Sequence, residues 1–179
     1  HVIFSQRNNL INNNEIFKYS DNFLDEISNN LKDDKNKYLV NPKDSELNTK
    51  LRSILGKSFD DKEIDKLIKL NDKDFISKIH DKFDQKRKER IEYLGEDRVQ
   101  EIEKRIFLQT IDLNWKLHIQ YLEQLRQVIG LRSYGQRDPL IEYKKEAFTL
   151  FKNLLEKLKT DLITILINLT IIQKKNEKK

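Results

Sequence analysis

The sequence predicts an all-α fold: a small helical lobe followed by a long antiparallel two-helix hairpin. Three observations predict it. Apolar residues recur at steps of three and four along most of the chain, the spacing that gathers them on one helical face. Only four glycines and two prolines punctuate 179 residues, so long helices can run unbroken. Hydrophobic residues make up 37% and charged residues 36%. That balance suits narrow apolar stripes with solvated flanks, and sheet-based folds need more turn residues.

Residues 1–14 are expected to be the end of a helix followed by a turn at Asn12-Asn13-Asn14. Residues 15–94 form the small lobe. Ile16, Phe17, Phe23, Leu24, Ile27 and Leu31 make its first amphipathic helix, and Asn41-Pro42 breaks the chain. Leu47, Leu51, Ile54 and Leu55 make the second, with Gly56 expected as a left-handed cap. Asp60 or Asp61 can cap a third helix through Ile64, Leu67 and Ile68. Asp72 or Asp74 opens a fourth, with Phe75, Ile76, Ile79 and Phe83 on its apolar face.

Gly95 separates this lobe from residues 95–172. Leu108, Ile111, Trp115, His118, Leu122, Leu125 and Ile129 alternate steps of three and four, the seam of a helix lying along a partner. The partner begins after Gly130, where Leu140, Tyr143, Ala147, Leu150 and Leu154 repeat the spacing. Phe151, Leu158, Leu162, Ile165 and Leu169 widen the stripe. A short connection between two such helices places them antiparallel. Gly130 and Gly135 are expected at positive φ, with Pro139 opening the second helix. The apolar run 162–172 reads as a buried helix, with a strand as the alternative, and is too short to span a bilayer. Residues 173–179 are a basic tail.

Chemistry is sparse. The glycines are too scattered to cradle a phosphate. His1, His80 and His118 fall on different segments, without metal-ligand spacing. Cysteine is absent, which removes disulfides and thiolate sites. Ser133 has no histidine nearby in sequence to act as its base. The net charge of +5 comes from 35 basic and 30 acidic side chains, well mixed, so no nucleic-acid partner is expected. Lys86-Arg87-Lys88 and the tail read as solvated, with weak attraction to an anionic membrane surface allowed. Trp115 reads as a packing anchor, and His118 as a core histidine bonded to a carboxylate or carbonyl. Tyr134 lies on a turn bracketed by glycines, among Arg132, Gln136 and Arg137, and is a candidate contact residue. His1 in place of an initiator methionine suggests a piece of a longer protein.

The residues from Leu108 to His118, then Leu125-Arg126, Ile129-Gly130-Leu131-Arg132 and the run from Tyr134 to Phe148, resemble the SecA family around its two-helix finger. Ser5-Gln6-Arg7-Asn8 resembles the end of that family's long scaffold helix. The resemblance is dense from 105 to 151 and thin from Glu15 to Glu89; it implies that the lobe 15–94 is that family's helical wing. Leu117 departs from it, standing where the family carries an acidic residue. The resemblance implies a peripheral motor that pushes unfolded preprotein through the SecY channel complex. The fingertip would be Leu131, Arg132, Tyr134, Gln136 and Arg137. The hairpin would be held by Trp115, His118, Leu122, Leu125, Tyr143, Phe148 and Phe151. ATP and magnesium would bind in motor domains outside this chain, which would have no cofactor or catalysis of its own. The location implied is cytoplasmic, on the inner membrane face, or alternatively the plastid stroma. Periodicity alone also allows a free-standing helical-hairpin adaptor or coiled-coil binding module.

Overall fold

The computed structural model describes residues 5, 7, 8, 15–42, 46–135 and 138–172. Asn12-Asn13-Asn14, His1 and the basic run 174–179 lie outside them. Among the described residues there are helices and no strand: α1 (Ile16–Val40), α2 (Glu46–Leu55), α3 (Asp61–Ile68), α4 (Asp72–Leu94), α5 (Glu96–Ile129), a 3-10 turn (Gly130–Gly135) and α6 (Pro139–Asn168). The apolar run near the end is therefore helix through Asn168, and the strand alternative is excluded.

Packing divides the chain into two units. The wing unit holds 14–103 with 163–179, and the hairpin unit holds 104–162 with residues from 1–13. In the wing, α1 packs on α2 and α4, α2 on α3, and α3 on α4. Leu24, Ile27 and Leu31 from α1 are buried with Leu51 and Leu55 from α2, Ile64 from α3 and Phe75, Ile79 and Phe83 from α4. Val99 at the start of α5 and Ile163, Leu166 and Ile167 at the end of α6 complete this core. Asn168 donates to the Ile54 carbonyl at 2.7 Å, and Ser58 donates to that of Ile167, so the end of α6 is tied to α2 and the turn after it.

The helix boundaries follow local chemistry. Asp60 caps α3 in a reciprocal box: its side chain accepts from the Glu63 amide, and the Glu63 carboxylate accepts from the Asp60 amide. Asp60→Ala should cost about 1 kcal/mol, read as a shift in the urea midpoint. Asn71, not Asp72 or Asp74, caps α4, because its amide oxygen reaches the Asp74 N–H at 2.9 Å. The left-handed glycine is Gly95, with φ 85°, where α4 stops and α5 starts. Gly56 is not left-handed. It is needed for close approach, since a Cβ there would lie 2.3 Å from the Arg52 carbonyl oxygen. Gly130 and Gly135 do not take positive φ either, because the connection is a 3-10 turn.

Arg87 corrects the solvated reading of its basic run. It is 8% exposed and lies over the rings of Phe17 and Phe83, 4.3 and 4.8 Å from their centroids. Its guanidinium and that of Arg90 converge on Glu103, which is fully buried. Ser20 also donates to Glu103, and Asp21 accepts from Arg87 at 2.7 Å. Arg90 further donates to the Leu166 and Leu169 carbonyls, both at 3.1 Å, where α6 runs out of backbone donors. Burial lowers the Arg90 guanidinium from its ordinary value, and Glu103 opposes that shift.

Candidate functional site: the hairpin and its turn

Within the hairpin unit, α5 and α6 run antiparallel. Cross-helix contacts pair Asn114 with Asp161 and, further along α5, His118 with Phe151, earlier on α6. Phe107, Ile111, Leu125 and Ile129 are buried on α5, and Leu154, Leu158 and Leu162 on α6. Leu108, Trp115 and Leu122 from the predicted seam are half-buried, as are Tyr143, Ala147, Leu150 and Phe151. Phe148 is a correction. It is 60% exposed, with the Lys152 ammonium 4.8 Å from its ring centroid. Ala147, Phe151, Leu154 and Leu158 define the inner stripe of α6, and Phe148 is rotated off it by one residue. Ile165 is exposed as well. Arg7 reaches Asp112 at 3.1 Å, so the described N-terminal residues meet this unit at α5.

His118 is 5% exposed but is not bonded as the sequence suggested. Its ring stacks at a tilt on Trp115, centroids 5.5 Å apart, and meets Phe151 edge-on at 6.1 Å. Among the described residues no carboxylate or carbonyl takes a hydrogen bond from it. Burial therefore pushes its pKa below the ordinary 6.5. Above 6.5 both folded and unfolded chains hold this histidine neutral. As pH falls below 6.5 the unfolded chain takes up a proton that the folded chain resists. The stabilisation by His118 is thus complete above 6.5 and is lost toward lower pH. Urea midpoints from pH 8 to 5.5 should fall more steeply in the parent than in His118→Gln.

The two helices are joined by the 3-10 turn, and Asp138 caps α6 by accepting from the Leu140 N–H at 2.9 Å. Pro139 is the first helical residue, as predicted. Around the turn Val128, Leu131, Leu140 and Ile141 are 44%, 71%, 59% and 51% exposed. Arg132 and Tyr134 belong to the turn by backbone, and Gln136 and Arg137 lie outside the described residues. Of this exposed aliphatic group the sequence pointed to Leu131 alone; Leu140, expected on the apolar stripe of α6, is turned outward, and Val128 and Ile141 were not singled out.

Among the described residues one serine–histidine–aspartate grouping occurs, in the wing unit. Ser28, His80 and Asp25 meet, but both Ser28 and Asp25 lie on the same ring nitrogen, at 3.1 and 3.3 Å. A relay needs the base held by its other nitrogen, and Ser28 is fully buried while bonded to the Leu24 carbonyl. No group of three metal-ligating side chains occurs among the described residues. None of the described helices is long and apolar enough to cross a membrane.

A helical wing joined in sequence to a long hairpin defines a structural module of the wing-and-scaffold class. The family model for the SecA wing and scaffold domain matches residues 1–170, and the chain belongs to that family. It is 60% identical over 177 residues to the protein translocase subunit SecA of Pelagibacter ubique (strain HTCC1062), which covers 99% of this chain and 21% of that protein. It is 55% identical over 74 residues to the protein translocase subunit SecA of Granulibacter bethesdensis, covering 41% of this chain and 8% of the relative. With that of Caulobacter sp. (strain K31) identity is 38% over 125 residues, covering 70% of this chain and 14% of the relative. The chain therefore spans about a fifth or less of the length of these curated relatives.

Proposed function

We propose that this chain is the wing-and-scaffold part of a protein-translocating motor, and that its hairpin is the element that pushes on unfolded preprotein at the SecY channel complex. The observation that carries the reading is the family match over 1–170, which runs through wing and hairpin together. A free-standing adaptor would share the heptad seam but has no reason to share the wing. ATP and magnesium would act in motor domains that the chain does not contain, leaving it no catalysis of its own. The motor would work on the cytoplasmic face of the inner membrane, or in a plastid on the stromal face.

The turn is the working end in this reading. A motor that moves arbitrary sequences cannot depend on one hydrogen-bond pattern. An aromatic ring with a polar tip, beside exposed aliphatic side chains, grips many sequences weakly. Tyr134 would make that contact, with Arg132 and Arg137 facing carbonyl-rich or acidic channel surfaces and Leu131 and Gln136 beside them. Tyr134→Ala in the full-length protein should lower translocation, with ATP turnover read alongside to tell a contact defect from a motor defect. In the chain alone the same change should move stability by less than about 0.5 kcal/mol. Undiminished translocation would remove Tyr134 from the mechanism.

A further inference from the structure

The described N-terminal residues Ser5, Arg7 and Asn8 are helical, and they group with the hairpin although the whole wing follows them in sequence. An ion pair joins them to α5: the Arg7 Nε donates to Asp112 Oδ1 at 3.1 Å, across 105 positions of the chain. Asp112 follows the buried Ile111 and lies one turn before the half-buried Trp115, so it sits at the flank of the packed face. Lys116, four residues on and exposed, is placed to serve that carboxylate within α5. The carboxylate takes the distant cation instead. Both partners are open to solvent, with side chains 36% and 59% exposed. Such a pair adds little to stability, so what it supplies is register: it fixes the turn of α5 beside which the N-terminal helical residues lie.

We propose that Arg7 and Asp112 are positioning residues that pass displacement of the segment before the wing directly into the hairpin. The inference rests on the translocation reading, in which hydrolysis occurs outside this chain and the hairpin does the pushing. Two routes lead from Arg7 to the hairpin. The covalent one runs through the wing, where α1 packs on α2 and α4, α2 on α3, and α3 on α4. Displacement along it crosses several helix contacts in series, and each can yield. The ion pair skips all of them. Its charge-assisted bond is directional, so sliding of the N-terminal helical residues along α5 stretches it at once.

The test uses the full-length protein with Arg7→Asp, Asp112→Arg and the two together, which reverses the pair. The readout is preprotein translocated per ATP hydrolysed, with the thermal midpoint of each variant measured alongside. Each single variant should lower the ratio about two- to fivefold, the equilibrium worth of an exposed ion pair, at an unchanged midpoint. The reversed pair should restore the ratio. A parental ratio in both single variants would overturn the proposal, as would a reversed pair that restores nothing. A lowered ratio that tracks a lowered midpoint would do the same, because it marks damage to the fold. Tyr134→Ala, measured beside them, separates the two inferences. If it impairs translocation while the charge variants keep the parental ratio, the bridge alone is wrong. If none of the variants changes translocation, the translocation reading falls with it.

Discussion

Replacing Glu103 with alanine should destabilise the chain by about 3–5 kcal/mol, the cost of removing one partner from a buried ionic cluster. Glu103 has no exposed surface, and it accepts from Arg87 at 3.3 Å, from Arg90 at 3.3 Å and from Ser20 at 3.2 Å. Its loss would leave two guanidinium groups side by side in the wing with a single full carboxylate, Asp21, on one of them. Arg90 would keep two carbonyls, but carbonyls do not neutralise its charge. The penalty is that of uncompensated buried charge, not the worth of the pairs. Glu103→Gln keeps the shape and one acceptor and should cost less. Paired substitution of Glu103 and Arg90 by apolar residues of similar volume should recover part of the loss. Guanidinium denaturation of these three variants beside the parent measures all three statements. A loss below about 1 kcal/mol for Glu103→Ala would mean that water reaches the cluster.

Phe75→Ala should cost a similar amount, about 3–5 kcal/mol, as the truncation of a fully buried aromatic. Phe75 has no exposed surface and sits on α4 in the middle of the wing. Its ring also supports an unusual neighbour. The Lys35 ammonium is 5.3 Å from the ring centroid, donates to the Leu70 carbonyl at 2.8 Å and pairs with Asp72 at 2.8 Å. That Lys35 side chain is 2% exposed. The Asp72 carboxyl is held below the usual carboxylate range by hydrogen bonds from Lys35 and Asn36. Alanine at 75 would open a cavity and remove the aromatic face from a buried cation. Phe75→Leu keeps most of the volume but not that face. Comparing the two in urea separates packing from the cation contribution.

The helices and the hairpin were legible because their apolar residues repeat at spacings close to one helical turn, a signal carried by the sequence itself. Leu125, Ile129, Leu154 and Leu158 were read correctly as core for that reason. Phe148 was misread because composition marks it as core while its angle on α6 turns it outward. The Glu103 cluster was not legible. Glu103, Arg87 and Arg90 are charged residues on amphipathic helices, and such residues ordinarily face solvent. Their burial depends on three helices meeting, which spacing along one helix does not encode. The hydrogen bond expected at His118 failed for a similar reason, since the neighbours that decide it come from α6. At the tip, glycines suggested positive φ, whereas Gly130–Gly135 form a 3-10 turn in which neither glycine takes it.

The wing's two sequence pieces carry a consequence for biosynthesis. Arg90 caps carbonyls at 166 and 169, and Ile163, Leu166 and Ile167 belong to the same core as α1–α4. Between 103 and 163 the ribosome must first make the whole intervening hairpin. At about 5–20 residues per second that delay is roughly 3–12 seconds. During it the nascent wing can assemble its four short helices and pair Glu103 with both arginines, but its last wall is still missing. The growing chain thus carries a half-closed apolar pocket through that interval. Completion waits on the translation of the end of α6, so any pause before Leu169 has been made prolongs the exposure.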